Sequence, residues 1–152
     1  MAVLGAASSR LRSAGPALAL LAGLGAWGGA PPARAAEPVP IRFARGASSA
    51  EVRGAVVRGE RALYSVRARE GQRMSVRIAA PERNAVFQLY APGAEPTTAD
   101  SALEIVGKAL PGAGEGDDAT RWTGVLPRTG AYILVVGPTH GNAPYRLTVS
   151  IR

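Results

Sequence analysis

The chain has one histidine and no cysteine, which limits the chemistry its side chains can perform. His140 has no second histidine or thiolate to join it around a metal. It has no oriented nucleophile to serve as a general base, and it reads as an exposed loop residue. Glu115, Asp117 and Asp118 cluster among glycines in Gly112–Asp118. Acids so placed can build an oxygen cage for Ca²⁺, but the spacing matches no EF-hand loop, and a solvated acidic loop is expected. Glu104 and Asp118 would be the pair for glycoside hydrolysis, yet nothing in the sequence sets them across a cleft. No catalytic group, metal or cofactor is therefore expected, and the chain reads as a binding protein rather than an enzyme. What remains is a turn, Leu126-Pro127-Arg128-Thr129-Gly130-Ala131-Tyr132. Pro127 fixes φ and Gly130 permits positive φ, as a sharp reversal requires. Tyr132 falls in phase with Leu134 and Val136 and so points inward. A tyrosine just after a turn, at the start of a strand, can hydrogen-bond back to upstream backbone as in a tyrosine corner. It would then shape the turn from beneath.

The elements that must carry this turn are strands. Tyr132–Val136 is apolar at every position, which predicts a central strand covered on both faces. Met74, Val76 and Ile78 alternate with Arg73, Ser75 and Arg77, the pattern of a half-buried strand. Tyr64, Val66 and Ala68 alternate with Ser65 and Arg67. Tyr145, Leu147, Val149 and Ile151 alternate with Arg146, Thr148 and Ser150. Further short strands are expected around Ile41 and Phe43, Val52 to Val56, Phe87 to Tyr90, and Trp122 to Leu126. Turn signals such as Gly59-Glu60 and Glu70-Gly71 separate them. About eight strands with no convincing helix predict an all-β fold, an antiparallel β-sandwich. The pattern lapses over 91–119, which is rich in Pro, Gly, Ala and acids and reads as an irregular insert. Within it, Leu103–Val106 fits a short strand or the end of a helical turn.

The first 35 residues read as a Sec signal peptide. Arg10 and Arg12 precede an apolar run over Ala17–Trp27, and Ala33-Arg34-Ala35 is an A-x-A cleavage site. The run is short for a membrane span, so no insertion is expected after cleavage. The mature part, 36–152, suits one domain, and without cysteine its core must hold the fold alone. The Arg- and Ala-rich composition points to a GC-rich bacterial genome, and export then means the periplasm. The formal charge of +7 loses Arg10, Arg12 and Arg34 with the leader. Arginine recurs at the polar phase of the strands, as expected for solvated strand faces. Aromatics fall in apolar phase rather than on a basic face, so nucleic acid is not an expected partner.

Several motifs together resemble the bacterial periplasmic inhibitors of g-type (goose-type) lysozyme. The apolar-x-Phe strand and G-x-S-S-A turn of those proteins match Ile41, Phe43, Gly46, Ser48, Ser49 and Ala50, followed by Gly54. Their Y-x-x-x-A-x-x-G-Q matches Tyr64, Ala68, Gly71 and Gln72. Their L-P-x-S-G-x-Y matches Leu126, Pro127, Thr129, Gly130 and Tyr132, with threonine in place of serine. Their closing strand matches Tyr145, Leu147, Val149 and Ile151. The resemblance implies a monomeric β-sandwich that inserts a rigid turn into the substrate cleft of lysozyme. It implies contact through Arg128, Thr129, Gly130 and Tyr132, with His140 and Asn142 flanking them. The family often carries several basic residues in the loop after this strand; here Gly137–Asn142 has no Arg or Lys. Some motifs are also similar to pre-peptidase C-terminal (PPC-like) β-sandwich domains. A second reading, of a different class, is an envelope module of this PPC-like fold that binds glycan or another anionic polymer through its arginine-bearing strand faces. Trp122 is the one large aromatic that would stack on a sugar, although its phase with Gly124 and Leu126 points to the core.

Overall fold

The apolar run Tyr132–Val136 lies in the middle of a sheet and is covered on both faces, as its composition requires. The computed structural model describes residues 36–99 and 102–152, so the expected signal peptide, 1–35, lies outside the described residues. Among the described residues there are ten strands: β1 (Val39–Pro40), β2 (Ser49–Val56), β3 (Ala62–Ala68), β4 (Arg73–Ala79), β5 (Ala85–Tyr90), β6 (Glu95–Ala99), β7 (Ala102–Val106), β8 (Arg121–Val125), β9 (Gly130–Pro138) and β10 (Ala143–Ile151). They form one four-stranded sheet in the order β1-β3-β9-β5, a second in the order β2-β10-β4-β8, and a separate β6-β7 hairpin.

The two large sheets bury one phase of each strand between them. Tyr64, Val66, Phe87, Leu89, Tyr132, Leu134 and Val136 from the first sheet meet Met74, Val76, Ile78, Tyr145, Leu147 and Val149 from the second. Each large aliphatic or aromatic side chain withdrawn from water in this way contributes about 1.5–3 kcal/mol. Tyr64 and Tyr145 bring polar atoms into this core, and each satisfies the other: their hydroxyls share a hydrogen bond. Burial and that bond push the Tyr145 phenol pKa well up. Gly54, opposite Tyr145 across β2 and β10, leaves the space for the pair. A Cβ there would stand 2.6 Å from the Tyr145 hydroxyl oxygen.

Two elements differ from expectation. The chain enters as β1 two residues before Ile41, and β1 pairs parallel with β3, whereas an antiparallel strand over Ile41–Phe43 is expected. Ile41 is still buried and its N–H bonds to the Ser65 carbonyl at 2.8 Å, but the ladder stops there. Pro40 offers no N–H, which restricts this stretch to an edge.

The larger difference is in the insert: its first half forms a hairpin that includes the short strand expected around Leu103–Val106, while 107–119 stays without regular strands. β6 and β7 pair from Glu95↔Val106 to Ala99↔Ala102. Leu103 and Ile105 from this hairpin pack on Leu63, Tyr90, Ile133 and Val135, the outer face of the first sheet. The rest of the insert seals the free edge of β5. Phe87 N–H donates to the Ala119 carbonyl at 2.9 Å, Leu89 N–H to Ala113 at 2.8 Å, and Ala91 N–H to Lys108 at 2.9 Å. Leu110, Ala113 and Ala119 are buried in the main core. An edge that would otherwise offer unpaired donors is thereby closed.

Candidate functional site

The turn between β8 and β9 is held from three sides. From beneath, Tyr132 is fully buried and its hydroxyl donates to the carbonyl of Arg128, four residues upstream. The same oxygen accepts the Arg128 N–H at 3.2 Å. One phenol thus fixes both polar backbone groups of the residue at the turn's tip, the tyrosine corner expected from the sequence. From the side, the β3–β4 turn lies against it. Gly71 N–H donates to the Leu126 carbonyl at 2.9 Å and Leu126 N–H to the Gln72 carbonyl at 2.8 Å. Glu70 N–H donates to Thr129 Oγ1 at 2.9 Å, and Gln72 Oε1 accepts the Arg69 N–H at 2.8 Å. From the far side, Pro92 packs onto Gly130, where φ is +152° and a Cβ would come within 2.7 Å of the proline ring. Positive φ and lack of space both require glycine there.

Held in this way, the turn presents Pro127, Arg128 and Thr129 to solvent. Arg128 enters no salt bridge among the described residues. A depression of about 270 Å³ beside it is lined by Arg67, Arg69, Gln72, Thr129 and Gly130. Three guanidinium groups therefore belong to one end of the first sheet. That arrangement suits carboxylate groups on a partner, which a guanidinium binds through paired, charge-assisted hydrogen bonds. Arg67 and Arg69 are absent from the sequence expectation. The only signal for them is the register, which sets Arg67 opposite Ala131 and Ala68 opposite Gly130.

The expected residues divide into two groups. Arg128 and Thr129 are exposed at the turn, Gly130 is half-buried in it, and Tyr132 lies wholly underneath. His140 and Asn142 do not flank them. They follow the other end of β9, whose nine residues span about 26 Å. That loop is organised by Asn84, the one buried polar residue described. Asn84 Oδ1 accepts Thr139 Oγ1–H at 2.9 Å and His140 N–H at 2.7 Å, and Asn84 Nδ2 donates to the Asn142 carbonyl at 3.1 Å. Asn142 Oδ1 in turn accepts the Arg58 N–H at 3.3 Å.

An open groove of about 1020 Å³ lies at this second end, with Arg58, Arg61, Gln88, Glu115, Asp118 and His140 among its lining residues. Tyr90 donates to Gln88 Oε1 at 2.9 Å. Burial pushes its phenol pKa up, with the Glu115 carboxylate adding to the rise and Arg61 opposing it. Glu104 does not line the groove, so the structure does not bring it to Asp118 there. Asp117 caps its own loop by accepting the Gly114 N–H at 2.7 Å. No group of three or more potential metal ligands occurs among the described residues. Trp122 folds its ring over Gly124, donates from Nε1 to the Pro111 carbonyl at 3.0 Å and packs on the core, as its phase predicts.

The fold is a two-sheet sandwich that carries a rigid, cation-bearing turn at one end. Comparison with solved structures gives the family. The Aeromonas hydrophila protein PliG, a periplasmic inhibitor of g-type lysozyme, is 33% identical, with a TM-score of 0.57 over 76% of this chain and 96% of that one. PliG of Salmonella Typhimurium is 25% identical, with a TM-score of 0.52 over 77% and 99%. A mutant of the Escherichia coli protein, at 22% identity and a TM-score of 0.52 over 76% and 97%, shares the fold. The chain belongs to the PliG family of periplasmic g-type lysozyme inhibitors, and it is a non-enzymatic binding protein. No family model matches it, and no curated protein matches it.

Proposed function

We propose that the protein is a periplasmic, monomeric inhibitor of g-type lysozyme that acts by inserting the Arg128–Gly130 turn into the enzyme's substrate cleft. The observation that carries this reading is the 33% identity to the Aeromonas inhibitor across 96% of that protein's length. The build of the turn adds to it. A contact element whose conformation is already fixed loses little entropy on binding, and here Tyr132, Thr129 and Pro92 fix it from three sides. Glycan-cleaving enzymes work with carboxylates in a cleft. Arg128, Thr129 and the rim formed by Arg67 and Arg69 are the groups that would meet them. Gly130 and Tyr132 act as supports, and a fully buried Tyr132 has no surface to offer a partner.

The test is inhibition of g-type lysozyme by the purified protein, with c-type and i-type enzymes as parallel controls. Selective inhibition of the g-type enzyme is the expected result; no inhibition of any class at high micromolar protein sinks the reading. Within it, Arg128→Ala is expected to weaken inhibition about tenfold or more, the cost of losing a desolvated charge pair, with an unchanged melting temperature. Equal potency of variant and wild type removes Arg128 from the mechanism.

A further inference from the structure

The outer face of the second sheet carries an arrangement that the inhibitor reading does not use. Side chains alternate, so the phase opposite Tyr145, Leu147 and Val149 faces away from the core. In that phase the register sets arginine directly opposite arginine three times. Arg53 faces Arg146 across β2 and β10, and Arg77 faces Arg121 across β4 and β8. Arg73 and Arg152 exchange both backbone hydrogen bonds, at 2.9 and 3.0 Å. All six are exposed.

Like charges directly opposed across a sheet are destabilising, and an ordinary solvated face intersperses the two signs. One acid lies among these six. Glu51 Oε1 meets Arg53 Nε at 3.0 Å and Arg146 Nε at 3.3 Å, so a single carboxylate serves a whole pair. Arg73, Arg77, Arg121 and Arg152 enter no salt bridge among the described residues. Every basic group of the face is arginine, whose planar fork takes phosphate oxygens two at a time, as lysine cannot. From Arg146 to Arg152 the track runs about 20 Å along β10. The length suits an extended chain with repeated charges better than a single small anion. Val125 is the one large apolar side chain exposed on this face, too little to enter a lipid layer.

We infer that the outer face of the β2-β10-β4-β8 sheet binds an extended, phosphate-bearing polymer through its opposed arginine pairs. This site uses none of the exposed turn residues Arg128 and Thr129, although its Arg73–Arg152 end adjoins the turn, where Arg73 pairs with Val125.

The test uses linear polyphosphate as probe, with anionic phospholipid vesicles as a second arm and the melting temperature as the check on folding. The wild-type protein is expected to bind polyphosphate at about 50 mM salt, with affinity falling steeply as salt rises. Arg77→Gln/Arg121→Gln should lower affinity about tenfold or more and flatten the salt dependence, since two phosphate contacts are lost. Its melting temperature should equal or exceed that of wild type, because a repulsion is relieved. Arg77→Lys/Arg121→Lys keeps the charge and loses the fork, and an affinity between the two is expected. Arg58→Gln/Arg61→Gln removes the same charge from the groove at the far end of β9 and should change affinity by less than about threefold. Equal losses in the two glutamine variants would reduce the effect to net charge and overturn the site. Absence of binding at low salt would also overturn it, as would binding to vesicles without binding to polyphosphate.

Discussion

The two ends of β9 are built with similar economy and differ in what they leave exposed. At the Gly130 end, a buried tyrosine holds the backbone of Arg128, and the Arg128 guanidinium enters no salt bridge among the described residues. At the Pro138 end, a buried asparagine holds the backbone of His140 and Asn142, and their side chains, though exposed, have partners within the protein. His140 Nδ1 lies 3.0 Å from Thr139 Oγ1, and Asn142 Oδ1 takes the Arg58 N–H. The same device, one buried polar side chain bonded to loop backbone, makes a presenting turn at one end and a self-satisfied loop at the other. On the proposed reading, a rigid loop becomes a binding element through the groups its own bonds do not use.

The largest stability effect is expected at the self-satisfied end, with no functional consequence. Asn84→Ala strips the Thr139 hydroxyl, the His140 N–H and the Asn142 carbonyl of a partner at once. Leaving such groups unpaired should cost about 2–4 kcal/mol, read by urea denaturation. Inhibition per folded molecule should stay at the wild-type value. A large loss of inhibition by a fully folded Asn84→Ala would mean that both ends of β9 meet the partner, and the contrast would fall.

Tyr132→Phe is the matching change at the presenting end. It keeps the buried ring and removes one hydroxyl, which serves both the Arg128 N–H and the Arg128 carbonyl. A loss of about 1–3 kcal/mol is expected, smaller than at Asn84 because the turn has two other supports. Here inhibition should weaken as well, since a loosened turn must be ordered again on binding. A Tyr132→Phe protein that is destabilised yet fully inhibitory would show that the corner serves folding alone.

Much of this contrast is legible in the sequence, and the missing part has physical causes. The turn is legible because Pro127, Gly130 and Tyr132 each carry a local constraint that needs no knowledge of the rest of the chain. The sandwich is legible because period-two burial marks each strand separately, as in Met74, Val76 and Ile78. The separation of Arg128 from His140 is obscured because ten or so residues read as near neighbours, although an extended strand carries them about 3.3 Å apart per residue. Asn84 is hidden because Pro81-Glu82-Arg83-Asn84 reads as a polar chain break, and only tertiary contact makes its last residue a buried hub. The β6-β7 hairpin is half legible, as the short strand that Leu103–Val106 fits, and the pairing of that strand with β6 escapes for a related reason. The hairpin residues that pack on a core are half-buried Leu103 and Ile105, whose value depends on the outer face of a sheet elsewhere in the chain.

The smallest effect separates the hydroxyl of Thr129 from its methyl group. Thr129 Oγ1 accepts the Glu70 N–H across the gap between two turns, so the oxygen ties the presenting turn to its neighbour while the rest of the side chain stays exposed. Thr129→Val is nearly isosteric and leaves that N–H without its acceptor. Water can reach the site, so the loss should be about 1 kcal/mol, the ordinary net worth of one hydrogen bond. Thr129→Ser keeps the oxygen and should melt within a degree or two of wild type. If rigidity of the turn is what the partner recognises, valine should weaken inhibition a few-fold and serine should not. If the methyl group is itself a contact, serine should weaken inhibition while leaving the melting temperature alone. The pair therefore decides whether Thr129 acts on the partner through its bond to Glu70 or by touch.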